Sequence, residues 1–289
     1  ILAKYPKMAE KLNETTLNHI IKSGNDKGES CVFWLCASSE GRKVLSKYQY
    51  LIDQISEASL NQLIEKENRK GESAALGLCS TSIGREILAG NPKLAEKLNK
   101  TTLNHIVKSG NDKGESCVFW LCSSSEGRKI LSEHQHLIDT ISETTLNHVI
   151  KEGNWKGQSA AIWLCSTSIG GEILAKNPKL AEKLNETTLN HIIKSGNDKG
   201  ESCVLWLCAS SDGLKVLSKY QHLIDTISEA SLNHIIKSGN DKGQSAALGL
   251  CSTSIGREIL AENPKLAEKL TETTLNHIVD EGKNKGESA

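Results

Sequence analysis

The pair Leu-Asn recurs at Leu17, Leu60, Leu103, Leu146, Leu189, Leu232 and Leu275, and every interval is 43 residues without insertion. A fixed period in the range of about 20–50 residues marks a chain of stacked supersecondary units, each too small to bury a core alone. Full units run 28–70, 71–113, 114–156, 157–199, 200–242 and 243–285, with partial units at 1–27 and 286–289. The chain is expected to be a single repeat array over 1–289, part of a longer one. Two unit types alternate, one reading GESCVFWLCASSEGRKVLSKYQYLIDQ and the other GESAALGLCSTSIGREILAGNPKLAEK. Pro6, Pro92, Pro178 and Pro264 fall 86 residues apart, so the duplicated element is a pair of units.

Each unit predicts three helices. Ser30, Ser73, Ser116, Ser159, Ser202 and Ser245 precede the apolar segments CVFWLC or AALGLC and their variants. A hydroxyl there accepts a hydrogen bond from the first helical turn. These segments are apolar all round, which on a helix means burial all round. Ser82 is expected to cap a second helix carrying Ile87 and Leu88, with Gly84 at a close approach. Asn91-Pro92 restarts the chain, Asn as cap and Pro at the first helical position, and Leu94 and Leu98 continue the apolar face. A third helix is expected after Asn99 or Ser142, bearing Leu103, Ile106 and Val107 at i, i+3, i+4 and ending at Gly110.

Three helices per 43 residues resembles the armadillo and HEAT repeat class. The resemblance spans the whole chain but lies in length and helix pattern; the armadillo Gly-rich and Trp-Asn positions are not in order. It implies an all-α, right-handed α-solenoid whose surface binds an extended peptide or a protein. The near-identical repeats are also similar, more loosely, to helical-repeat effectors of intracellular bacteria, which implies delivery into a host cell.

Lys+Arg and Asp+Glu are each 35, a formal net charge of zero. Readers of a phosphate backbone usually carry an excess of basic residues, so nucleic acid ranks below protein as a partner, and a structural spacer is the third reading. No apolar run approaches the ~18 residues of a membrane span, and no membrane partner is expected. Six of nine cysteines share one repeat position (Cys36, Cys79, Cys122, Cys165, Cys208, Cys251), and Cys31, Cys117 and Cys203 lie five residues earlier in alternate units. Five helical residues turn a side chain by about 140°, which suits neither a disulfide nor a shared metal. Free, buried thiols in a reducing, cytoplasmic compartment are expected.

The candidate partner-binding residues are Asn18, Asn61, Asn104, Asn147, Asn190, Asn233 and Asn276, a ladder beside the core leucines, together with Trp155. An amide offers both donor and acceptor to an extended peptide backbone, the use that the armadillo resemblance implies. The competing and favoured reading is that each Asn ties down the loop of the adjoining repeat. Trp155 stands in a variable loop as a possible anchor. Trp34, Trp120, Trp163 and Trp206, embedded in the apolar segments, are expected in the core. The histidines at His19, His105, His148, His191, His234 and His277 are expected toward solvent, and repeats stacked about 10 Å apart hold them too far apart for zinc. Arg42-Lys43 and Arg128-Lys129 read as a solvated helix face. No catalytic constellation, cofactor motif or metal-ligand spacing is present, and the chain is expected not to be an enzyme.

Overall fold

The computed structural model describes residues 6–66, 69–238, 241–279 and 286. Among them the protein is all-helical, with a single isolated bridge residue at Ile278 and no β-strand. The helices recur at the 43-residue spacing. Each full unit, however, carries four short helices where three were expected. In one unit type they are Cys31–Ala37, Ser39–Lys47, Gln49–Asp53 and Glu57–Asn61; in the other, Ala74–Cys79, Ser82–Gly90, Pro92–Glu96 and Lys100–Leu103.

Local chemistry sets most of these boundaries. Ser73 caps the first helix, its Oγ accepting the Leu76 N–H at 3.0 Å. A cap of this kind contributes about 1 kcal/mol. The second helix is capped one residue earlier than expected, by Thr81, whose Oγ1 accepts the Gly84 N–H at 3.2 Å. In the other unit type Ser38 does the same for Gly41 at 3.0 Å. A Cβ on Gly84 would lie 2.2 Å from the Leu78 carbonyl oxygen, so the corner between first and second helices admits only glycine. Pro92 does open a helix, but Asn91 does not cap it. Its amide donates backward to the Ile87 carbonyl at 2.7 Å instead.

The third predicted helix is corrected most. It lasts one turn, Lys100–Leu103, and stops at Asn104. Ile106 and Val107 lie outside any helix. Val107 exchanges two backbone bonds across a loop neck, donating to Glu115 at 2.9 Å and accepting from Gly114 at 2.8 Å. Gly114 takes φ +89, the left-handed region that side chains disfavour. Ile64 and Ile193 make the same neck with Gly71–Glu72 and Gly200–Glu201. The buried Val107 is thus a loop anchor whose spacing from Leu103 imitates a helical stripe.

Contacts group the chain into two units, 1–145 and 146–289. In the first, Leu35, Leu78 and Leu121 of successive first helices are buried; in the second, Leu164, Leu207 and Leu250 are. Each such side chain contributes about 1.5–3 kcal/mol, and each is buried by neighbouring repeats as well as by its own. All nine cysteines are free: seven are buried, Cys251 is half-buried and Cys31 is exposed. Burial pushes the Cys36 and Cys122 thiols up to about 12. No helix among the described residues is long and apolar enough to cross a membrane.

Candidate functional site

The Asn ladder turns toward the next repeat. Within 1–145, the Asn104 amide donates to Lys100 O at 2.8 Å and to Thr140 O at 2.9 Å, and its oxygen accepts the Ser142 N–H at 2.7 Å. Thr145 Oγ1 adds a bond to the Asn104 carbonyl at 3.0 Å. Asn18 and Asn61 repeat the pattern, reaching Gln54 and Ser56, and Lys97 and Asn99. Within 146–289, Asn147, Asn190 and Asn233 do likewise. Among the described residues, Asn276 makes its local bond to Glu272 O at 2.9 Å. Each fully engaged Asn is a clasp that pairs the orphan backbone groups where one helix of the next repeat ends and another begins.

The histidines do not face open solvent, His19 excepted. His105, His148, His191, His234 and His277 are half-buried. The His105 ring covers Gly71 so closely that a Cβ there would lie 2.3 Å from Nε2. Burial holds the His105, His148, His191 and His234 imidazoles below their ordinary pKa, and the Lys three residues along adds to it. Arg42 and Arg128 are also corrected. Both are buried, with Nη1 donating to the Cys36 and Cys122 carbonyls at 2.6 Å. They complete the C-terminus of the first helix, where a cation suits the exposed carbonyls.

The tryptophans lie at the rim instead of in the core. In 1–145, Trp34 is 45% exposed and Trp120 is half-buried. Their Nε1 groups donate to Glu29 and Glu115, each at 2.9 Å, and the Arg69 guanidinium sits 4.6 Å above the Trp34 ring. In 146–289, Trp206 is half-buried and bonded to Glu201 at 2.9 Å, while Trp163 is half-buried. Trp155 is half-buried too, edge-on to Trp163 with ring centroids 6.3 Å apart. An indole is too bulky to lie wholly between stacked helices and carries an N–H that needs an acceptor. The sequence does signal this, because a Glu stands five residues before each of Trp34, Trp120 and Trp206.

Burial raises Glu115 to about 7, with Asp112 adding and the Trp120 bond opposing. Burial likewise raises Glu201 to about 7; the Trp206 bond opposes this, and Asp198 and Asp241 add to it. Gln158 and Gln244 occupy the same repeat position, so a neutral side chain fits there.

A cavity of about 810 Å³ beside Trp34 is lined by Cys31, Leu35, Gly41 and Val44 among others. Around the equivalent Cys117, the preceding repeat's first helix occupies this place, with Cys79 against the Cys117 thiol. No group of three or more His, Cys, Asp or Glu among the described residues is placed to hold a metal ion. No protein-family model, curated protein or solved structure matches the chain.

Proposed function

We propose that this protein is an interaction scaffold binding an extended peptide or a protein partner on the indoles of its first helices, Trp34 and Trp120 within 1–145 and Trp163 and Trp206 within 146–289. The observation that carries the reading is the rim position of Trp34, Trp120, Trp163 and Trp206. Large aromatics on rigid elements are the residues on which binding energy concentrates. Three of these four are oriented beforehand by an indole–carboxylate bond, which lowers the ordering cost of association. Trp155 and Arg69 add to them from the loops. The Asn ladder has a secondary place in this scheme, since its amides are engaged between repeats. The same proposal takes the repeats as a right-handed α-solenoid of armadillo/HEAT-like type, working without catalysis in a reducing compartment.

The test is to select peptides from a display library on the immobilised chain and measure their Kd by calorimetry. Trp120→Ala and Trp206→Ala are each expected to weaken the selected ligands by about 2 kcal/mol, roughly thirtyfold. Unchanged affinity in both variants, with helicity intact by circular dichroism, would overturn the reading.

A further inference from the structure

Two loop slots at equivalent repeat positions differ at three residues, and the difference is chiefly one of charge. In 1–145, a slot of about 210 Å³ is lined by Ile20, Ile21, Lys22, Lys27, Gln62 and Glu65, with Gly28. Glu65 accepts from Lys27 Nζ at 2.6 Å, and Lys66 pairs with Asp26 at 3.6 Å, so Lys27 and Lys66 have carboxylate partners at this mouth. In 146–289 the corresponding slot, about 370 Å³, is lined by Ile192, Ile193, Lys194, Lys199, His234 and Lys237, with Gly200 and Ser238. Lys237 stands where Glu65 stood, His234 where Gln62 stood and Ser238 where Lys66 stood. Among the described residues no carboxylate lines it. Asp198, the counterpart of Asp26, instead accepts from the Gln158 amide of the preceding repeat.

The slot is held open by the fold. Ile193 N donates to Glu201 O at 2.9 Å and Gly200 N to Ile193 O at 2.8 Å, closing the neck from which Lys194 and Lys199 project. Ile192 and Ile193 give it an apolar floor beneath a cationic rim. Lys194, Lys199 and Lys237 form no ion pair or side-chain hydrogen bond with the described residues. One repeat earlier, Lys151, Lys156 and Lys194 hold the same three positions.

We propose that the Lys194–Lys199–Lys237 slot binds a carboxylate side chain of an acidic peptide, and that Lys151–Lys156–Lys194 takes a second. An apolar floor under a basic rim fits the methylene stem and charged head of a glutamate. A phosphodiester chain would bring no apolar stem to that floor. Repeats stack about 10 Å apart, and a peptide in the polyproline II conformation advances about 3.1 Å per residue with three residues per turn, so an acid at every third position meets successive slots from one side. The inference rests on the scaffold reading above and names the chemistry of the partner.

The probe is a twelve-residue peptide with Glu at every third position, set against the same peptide with Gln, inorganic phosphate and a single-stranded oligonucleotide. The readouts are Kd and the imidazole NMR signal of His234, which lies in the slot and is held below its ordinary pKa by burial and by Lys237. The Glu peptide is expected to raise the His234 titration midpoint and the Gln peptide to leave it in place. Lys237→Glu, which reproduces the Lys27–Glu65 arrangement, is expected to weaken the Glu peptide about three- to tenfold at low salt. Glu65→Lys is expected to create a further carboxylate slot, read as tighter binding of the Glu peptide, since Gln62 offers no imidazole there. Equal binding of the Gln peptide, or no effect of Lys237→Glu, overturns the proposal. So does a His234 response to phosphate or the oligonucleotide alone, which would make the slot a phosphate site. A silent His234 together with retained Trp-dependent peptide binding defeats this inference alone; a responding His234 with Trp-independent binding defeats the scaffold reading instead.

Discussion

Asn190 and Ser228 stand in successive repeats, and the Ser228 backbone N–H donates to the Asn190 side-chain oxygen at 2.8 Å. The Asn190 amide also donates to Thr226 O at 2.8 Å, and Ser231 Oγ to the Asn190 carbonyl at 3.1 Å. One residue thus holds both sides of a helix break in its neighbour. Such a clasp makes stability a property of the junction between repeats.

Replacing Asn147 and Asn190 by Ala is therefore expected to destabilise the protein. Each substitution leaves backbone groups of the next repeat unpaired, at roughly 1–3 kcal/mol per site. Thermal unfolding by circular dichroism checks this, and a two-step transition is expected because coupling runs only between nearest neighbours. A melting temperature unchanged from wild type would remove the clasp role.

The carboxylates beneath the indoles make stability pH-dependent. Glu115 and Glu201 are raised from 4.5 to about 7, so the folded state holds protons that the unfolded chain has released. Their contribution is full below about pH 4.5 and is lost as the pH rises through about 7. Glu115→Gln, copying Gln158, is expected to gain stability over wild type with rising pH, levelling near pH 8 at roughly 1–3 kcal/mol. Urea titrations at pH 4.5 and pH 8 measure the difference, and equal gains at both would contradict the assignment.

The histidines act in the opposite sense. His105, His148, His191 and His234 are depressed below 6.5, so the unfolded chain binds protons first as the pH falls. Stability should decline below about pH 6.5. His105→Gln, which places there the residue found at Gln62, is expected to flatten that decline. An acid limb as steep as that of wild type would show that His105 takes no part in it.

Thiol reactivity should follow exposure. Cys31 is expected to react within seconds with an aromatic disulfide reagent, Cys251 more slowly, and the seven buried thiols only on unfolding. Mass spectrometry of the labelled protein identifies the sites; rapid modification of Cys36 or Cys122 would argue against the packing described.

Much of this architecture is legible in the residues themselves. The 43-residue period, the serine caps, Pro92 at its helix start and the leucine rows depend on local geometry and short spacings. Such features survive in the chain without its neighbours, because a cap needs only a backbone N–H three residues on. Tertiary structure decided the rest. Val107 became a loop anchor where its spacing suggested a helix, because Glu115 and Gly114 meet it across the neck. Trp34, Trp120 and Trp206 stand at the rim, where an indole has room and Glu29, Glu115 and Glu201 accept from it, and Arg42 went inside because the Cys36 carbonyl needed a donor. The Asn amides found their partners 36 and 38 residues away. Helical periodicity fixes only the direction of a side chain around its own axis, whereas the groups that meet it are set by stacking of one repeat on the next.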